Sequence, residues 1–209
     1  PEDPDLYILL GDVYFIIGKR ENCLASYRKA GELDPESLPP VLKLAETHLI
    51  LQEYQTADRF IDIALNLDVN SAKAYYLKGI HRMETGDTAN ALLNLKIAGN
   101  LDTSYYEALM QTGALYTALE DTTAIDYYHA ALNAVPNEER ALFLLGVSYQ
   151  DKGDFDKALE IYQKMNTLYP SNKVAFYNTG YIQMVERMDF DAALQAFRSA
   201  ILIDPAYVE

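Results

Sequence analysis

The sequence is poor in the residue types that do chemistry. Among 209 residues there is no tryptophan, one cysteine and three histidines. The lone Cys23 excludes an internal disulfide and a thiolate metal cage, and it says little about redox compartment. His48, His81 and His129 lie 33 and 48 residues apart, so none forms a metal-binding helical pair of the HExxH kind. No phosphate loop, nucleophile elbow or dinucleotide fingerprint occurs. These absences leave no cofactor, metal site or catalytic residue to assign, and the chain does not read as an enzyme. Apolar runs stay far short of the ~18–20 residues that a bilayer-crossing helix needs, so no membrane insertion of this segment is expected. Basic residues are scarce as well. There are 17 against 31 acidic ones, a formal net charge of −14, split −6 and −8 between residues 1–104 and 105–209. Spread this evenly, the charge favours solubility. It argues against nucleic acid, whose phosphates need a basic stripe, and against an anionic membrane surface.

What the chain does have is repetition. Half of its residues are hydrophobic, enough for a sizeable core. They are arranged as six variations on one phrase, seen in residues 144–170 as LLGVSYQDKGDFDKALEIYQKMNTLYP. A ladder of small residues, Gly11, Ala45, Gly79, Gly113, Gly146 and Gly180, has intervals of 34, 34, 34, 33 and 34. A second ladder, Pro35, Val69, Thr103, Pro136, Pro170 and Pro205, is spaced 34, 34, 33, 34 and 35. Two independent ladders of one period indicate a solenoid.

Each unit is helical twice over. In the fifth, Leu142, Leu145, Gly146 and Tyr149 fall at i, i+3, i+4 and i+7, one face of a helix. After Gly153-Asp154, the residues Ala158, Tyr162 and Met165 mark one face of a second helix. Asp154 is placed to cap that helix, Gly153 to make the turn before it, and Pro170-Ser171 to end the unit. The phrase is an αα-hairpin. Its small residues sit where two helices cross closely, so that a larger side chain would wedge them apart.

This pattern resembles the tetratricopeptide repeat (TPR) over essentially the whole chain. The family's aromatic–x2–Leu–Gly–x2–Tyr…Ala–x3–aromatic–x2–Ala…Pro signature reads Tyr7, Leu10, Gly11, Tyr14, Cys23, Tyr27, Ala30 and Pro35 in the first unit. The sixth gives Phe176, Thr179, Gly180, Ala193, Phe197, Ala200 and Pro205, and the second is loosest, with Leu44, Ala45, Ala57, Ile61 and Ala64. Cys23 stands where the family has alanine, which suits a buried small hydrophobe. The resemblance implies an all-α, right-handed α-solenoid of tandem helix-turn-helix repeats. Residues 1–209 would form a single array, with units at about 4–37, 38–71, 72–105, 106–138, 139–172 and 173–207. The array reads as part of a longer repeat protein, because its last helix ends on Ile201 and Ile203 with nothing to cover them. The absent initiator methionine leaves room for a removed signal, so the compartment, cytoplasmic or periplasmic and envelope-tethered, stays open.

Such stacking would place each first helix on a concave surface. The lining positions give Ile8, Leu42, Tyr76, Met110, Phe143 and Tyr177 at one level and Asp12, Glu46, Ile80, Val147 and Tyr181 at the next. Phe15, Met83 and Met184 complete the partner-binding set, with Asp5, Lys73, Glu107, Arg140, Glu84 and Asp151 as a mixed-charge rim. Family members that clamp the acidic C-termini of Hsp70 and Hsp90 use lysine, asparagine and arginine there. Here a carboxylate would meet Asp12 and Glu46, so that clamp is not matched. The expected occupant is an apolar or amphipathic segment of a protein partner, either peptide or helix. The expected role is a non-enzymatic interaction scaffold. The alternative is a structural component of a larger assembly, an envelope complex for example. It would use the array's ends or convex face and self-associate through the uncapped last repeat. The remaining polar groups read as structural. Asp154/Asp156, Asp189/Asp191 and Glu138/Glu139 fall at turns and first helical turns, where carboxylates cap N–H groups. His48 takes a packing position filled elsewhere by tyrosine, and His81 and His129 read as helix-surface groups.

Overall fold

A computed structural model describes residues 2–204. Pro205, the last rung of the second ladder, lies outside them. Among the described residues there are twelve helices and no strand. In chain order they are α1 (Pro4–Ile16), α2 (Arg20–Leu33), α3 (Leu38–Ile50), α4 (Tyr54–Leu67), α5 (Ala72–Glu84) and α6 (Thr88–Leu101). There follow α7 (Tyr106–Ala118), α8 (Ala124–Ala134), α9 (Glu139–Asp151), α10 (Phe155–Leu168), α11 (Lys173–Val185) and α12 (Phe190–Ile203). The fold is the expected all-α class of tandem helix-turn-helix units. The helices fall into two compact units, residues 1–108 and 109–209, divided inside α7.

In each unit the same two contacts recur. A first helix packs on its own second helix, as in α1 with α2, α5 with α6, α9 with α10 and α11 with α12. The second helix then packs on the next first helix: α2 on α3 and α4 on α5 in one unit, α8 on α9 and α10 on α11 in the other. The close crossing inside a hairpin is set by the small-residue ladder. A Cβ added at Gly146 would sit 2.6 Å from Cε1 of Tyr162, and one at Gly180 would sit 2.7 Å from Cε1 of Phe197. Real carbon atoms do not approach that closely, so glycine is what lets the aromatic ring lie flat on the facing backbone. The second repeat solves the problem differently: Ala45 faces Ile61, which has no ring.

Local signals end and start the helices as the sequence suggests. Asp154 accepts the Lys157 N–H, Asp189 the Ala192 N–H at 3.0 Å, and Glu138 the Ala141 N–H at 2.7 Å. Gly153, at φ +79°, makes the left-handed turn between α9 and α10. In the fourth repeat, one residue short, α8 has 11 residues where its counterparts have 14, and Thr123 before it makes no side-chain cap.

Candidate functional site

Every residue of the expected binding set lies on a first helix, and the two units hold separate parts of it. In the first unit Ile8, Asp12 and Phe15 come from α1, Leu42 and Glu46 from α3, and Tyr76, Ile80 and Met83 from α5. Phe15 is exposed and the other seven are half-buried. In the second unit Met110 comes from α7, Phe143 and Val147 from α9, and Tyr177, Tyr181 and Met184 from α11. Met110 is buried, Phe143 and Val147 are half-buried, and the three α11 side chains are exposed.

The acidic end of the first unit is less acidic than the sequence implies. Lys43 of α3 reaches back to Asp12 of α1 at 2.8 Å, and Lys73 of α5 reaches back to Glu46 of α3 at 2.7 Å. Each carboxylate is thus met by a lysine of the next repeat. Asp12 also accepts a 2.6 Å bond from the Tyr27 hydroxyl. Burial alone would raise its carboxyl, but the bonds from Lys43 and Tyr27 outweigh that and hold it below the ordinary value. The same contact works the other way on Tyr27, whose hydroxyl is pushed up by burial and by the carboxylate it serves. Lys73 lies over the Tyr76 ring, 5.3 Å from its centroid, and Tyr76 meets Tyr105 at 5.2 Å. Burial raises both of these phenols. Tyr105 sits one residue before α7, outside the helical positions used to read the lining, which is why the sequence did not mark it.

In the second unit Phe143 borders a surface cavity of about 300 Å³ with Glu138, Glu139, Arg140, Asn172 and Val174. Asn172 caps α11 through the Val174 and Ala175 N–H groups and bonds Glu139 at 2.7 Å. These residues lie at helix starts, where capping requirements and wall position coincide. Farther along α11, Tyr177 rests against Phe197 of α12, with ring centroids 5.8 Å apart. A larger cavity of about 380 Å³ is lined by Thr117, Asp121, Ser148, Asp151 and Lys152 among others.

The histidines divide differently from expectation. His48 is buried, stacked on Phe60, with Nδ1 2.5 Å from Glu53 Oε2. His129 is exposed and bonds the Tyr149 hydroxyl at 2.8 Å. His81, expected on a helix surface, is instead buried, edge-on to Tyr54 and with Nδ1 3.6 Å from Asp58 of α4. The cause is stacking. His81 faces the second helix of the preceding repeat, a contact that one helix's periodicity does not reveal. Among the described residues no group of three or more His, Cys, Asp or Glu is placed to hold a metal ion, and no helix is long and apolar enough to cross a membrane.

Comparison with known proteins points one way. Residues 4–37 and 140–172 match tetratricopeptide-repeat family models. BBSome complex member BBS4 of Bos taurus is 22% identical over 97% of this chain, which spans 48% of that relative's length. The solved structure of YrrB, described as a TPR protein with an unusual peptide-binding site, is 26% identical. It superposes with a TM-score of 0.74 over 87% of this chain and 93% of that one. The Pseudomonas aeruginosa pilF structure, 21% identical, shares the fold with a TM-score of 0.77 over 98% of this chain and 93% of its own. With both ladders, twelve helices among the described residues and glycine-on-ring crossings in place, the chain is built of tetratricopeptide repeats, two of them matched by family models.

Proposed function

We propose that this chain is a non-enzymatic interaction scaffold that holds an apolar or amphipathic segment of a protein partner against the faces of its first helices. The observation that carries the reading is on α11. Tyr177, Tyr181 and Met184 fall at i, i+4 and i+7, one stripe of a helix, and all three are exposed, while Phe143 and Val147 of α9 are half-buried. Large, stiff aromatic side chains offered to solvent in a row are the anchors that protein partners use. Methionine beside them lets the surface adapt to its occupant. A peptide-binding site in YrrB, similar to this chain over most of its length, favours the same use. The non-enzymatic part rests on the carboxylates, since Glu138, Asp154 and Asp189 are engaged in capping helices.

Selection of peptides from a displayed random library against the folded chain supplies a ligand. Alanine at Phe143 and Tyr177 should weaken that ligand at least tenfold, because truncating an aromatic anchor costs roughly 2 kcal/mol or more. Circular dichroism should show the helices intact. Unchanged affinity in the triple Tyr76→Ala, Phe143→Ala, Tyr177→Ala variant would remove the reading.

A further inference from the structure

Among the first helices of the first unit, one cluster already holds a cation and carries one more negative charge than positive. Lys73 of α5 places its ammonium over the Tyr76 ring, 5.3 Å from the centroid, and on the Glu46 carboxylate at 2.7 Å. A ring face and a carboxylate together suit an ammonium, because both present negative potential. The same two kinds of group recur beside it. Tyr105 packs against Tyr76, with ring centroids 5.2 Å apart and planes tilted by 48°, and Glu107 follows in the first turn of α7. Glu107 stands 34 residues after Lys73, at the same place of the next repeat, so the charge is reversed there. By the register that joins Lys73 to Glu46, the residue matching Glu107 is Ile80, which cannot pair with it. Glu107 is exposed and makes no hydrogen bond or ion pair among the described residues. Burial raises the Tyr76 and Tyr105 phenols, and the charges of Glu107 and Glu46 raise them further, so negative potential reaches both rings.

We infer that Tyr105 and Glu107 receive a lysine side chain of the partner, so that the segment held by the first unit is basic as well as apolar. The inference rests on the scaffold reading above and names the chemistry of the occupant. Lys73 is the template, since it shows a tyrosine ring and a carboxylate of this cluster taking an ammonium between them. The incoming lysine repeats that arrangement on the neighbouring ring and carboxylate, and it brings the charges of Glu46, Lys73 and Glu107 into balance. From Tyr76 the apolar stripe continues along α5 through Ile80 and Met83, at i+4 and i+7, both half-buried. The partner therefore offers lysine near the N-terminal end of α5 and apolar side chains towards its C-terminal end. An acidic segment would meet Glu107 unpaired. It would also be repelled by the net charge of −14, which draws a basic segment in.

Selection from the displayed random library, run on the whole chain at about 150 mM sodium chloride to suppress long-range attraction, tests this. The selected peptides should be enriched in lysine. Replacing that lysine by glutamine in a selected peptide should weaken its binding to the parent chain about tenfold in fluorescence anisotropy. On the double variant Tyr105→Leu, Glu107→Gln, which keeps apolar bulk but removes ring and charge, the same replacement should weaken binding less than about twofold. Glu107→Gln alone changes an exposed side chain, so it keeps the fold, and it should reduce the tenfold loss to about threefold. Circular dichroism checks both variants. Selected peptides without lysine enrichment would overturn this inference and leave the scaffold reading standing. So would a lysine whose replacement weakens binding equally on parent and variants, which would trace the preference to overall charge. A library that yields no ligand would overturn both readings.

Discussion

One missing methyl group sets how closely α9 and α10 approach. The Tyr162 ring occupies the space that a Cβ on residue 146 would need, and it is fully buried with no room to swing away. Gly146→Ala should therefore destabilise the protein even though alanine is the better helix former. Overpacking costs about 1–3 kcal/mol, while helix propensity returns ~1 kcal/mol. A net loss near 1 kcal/mol would lower the thermal midpoint by about 2–4 °C. The second repeat provides the control, because Ala45 is tolerated opposite Ile61. In the Gly146→Ala, Tyr162→Ile double variant the combined loss should fall short of the sum by about 1 kcal/mol in a double-mutant cycle. Strict additivity would show that the ring does not require the glycine. At this scale the sequence is informative in one direction only. The small-residue ladder was legible because it repeats six times, and its paired aromatics because they recur opposite Gly11, Gly113, Gly146 and Gly180. The burial of His81, the Lys43–Asp12 and Lys73–Glu46 pairs and the Tyr76–Tyr105 contact were not. The first three join residues of different repeats and depend on stacking geometry that a single unit's pattern does not contain, and Tyr105 stands outside the helical positions that the pattern marks.

Within the hairpin, the turn between its helices is made in two ways. Gly18, Gly86 and Gly153 take the left-handed conformation in the first, third and fifth repeats. Gln52, Glu120 and Met188 take it in the second, fourth and sixth, at φ between 55° and 58°. A side chain in that region costs roughly 1–2 kcal/mol of steric strain, and glycine's extra freedom when unfolded offsets about half of the relief. Glu120→Gly and Met188→Gly should therefore raise the thermal midpoint in calorimetry by a degree or more, and Gly153→Ala should lower it. If all three lower it, the strain argument fails. Glycine marks these turns in alternate repeats, so the sequence located every hairpin but did not show that the intervening ones make the same turn without it. Helix ends were easier to read. Asp154 and Asp189 cap as their positions suggest, because a cap is a contact between near neighbours in sequence.

For the molecule as a whole, net charge opposes compactness. Fourteen excess negative charges are spread over both halves of the chain, while the ion pairs between repeats are partly exposed and worth little individually. Raising sodium chloride from about 20 to about 200 mM shortens the screening length from roughly 20 to 7 Å, so repulsion should fade and the midpoint should rise by a few degrees. A fall would mean that the inter-repeat lysine–carboxylate pairs contribute more than the self-repulsion costs. The feature with the most direct experimental use is the lone cysteine. Cys23 has no solvent-accessible surface, and burial pushes its thiol up. A maleimide or disulfide reagent can reach that sulfur only after α2 has parted from its neighbours. The modification rate of the native chain is therefore a stopwatch for fraying at the N-terminal edge, with no second thiol to confuse the reading and no label to engineer.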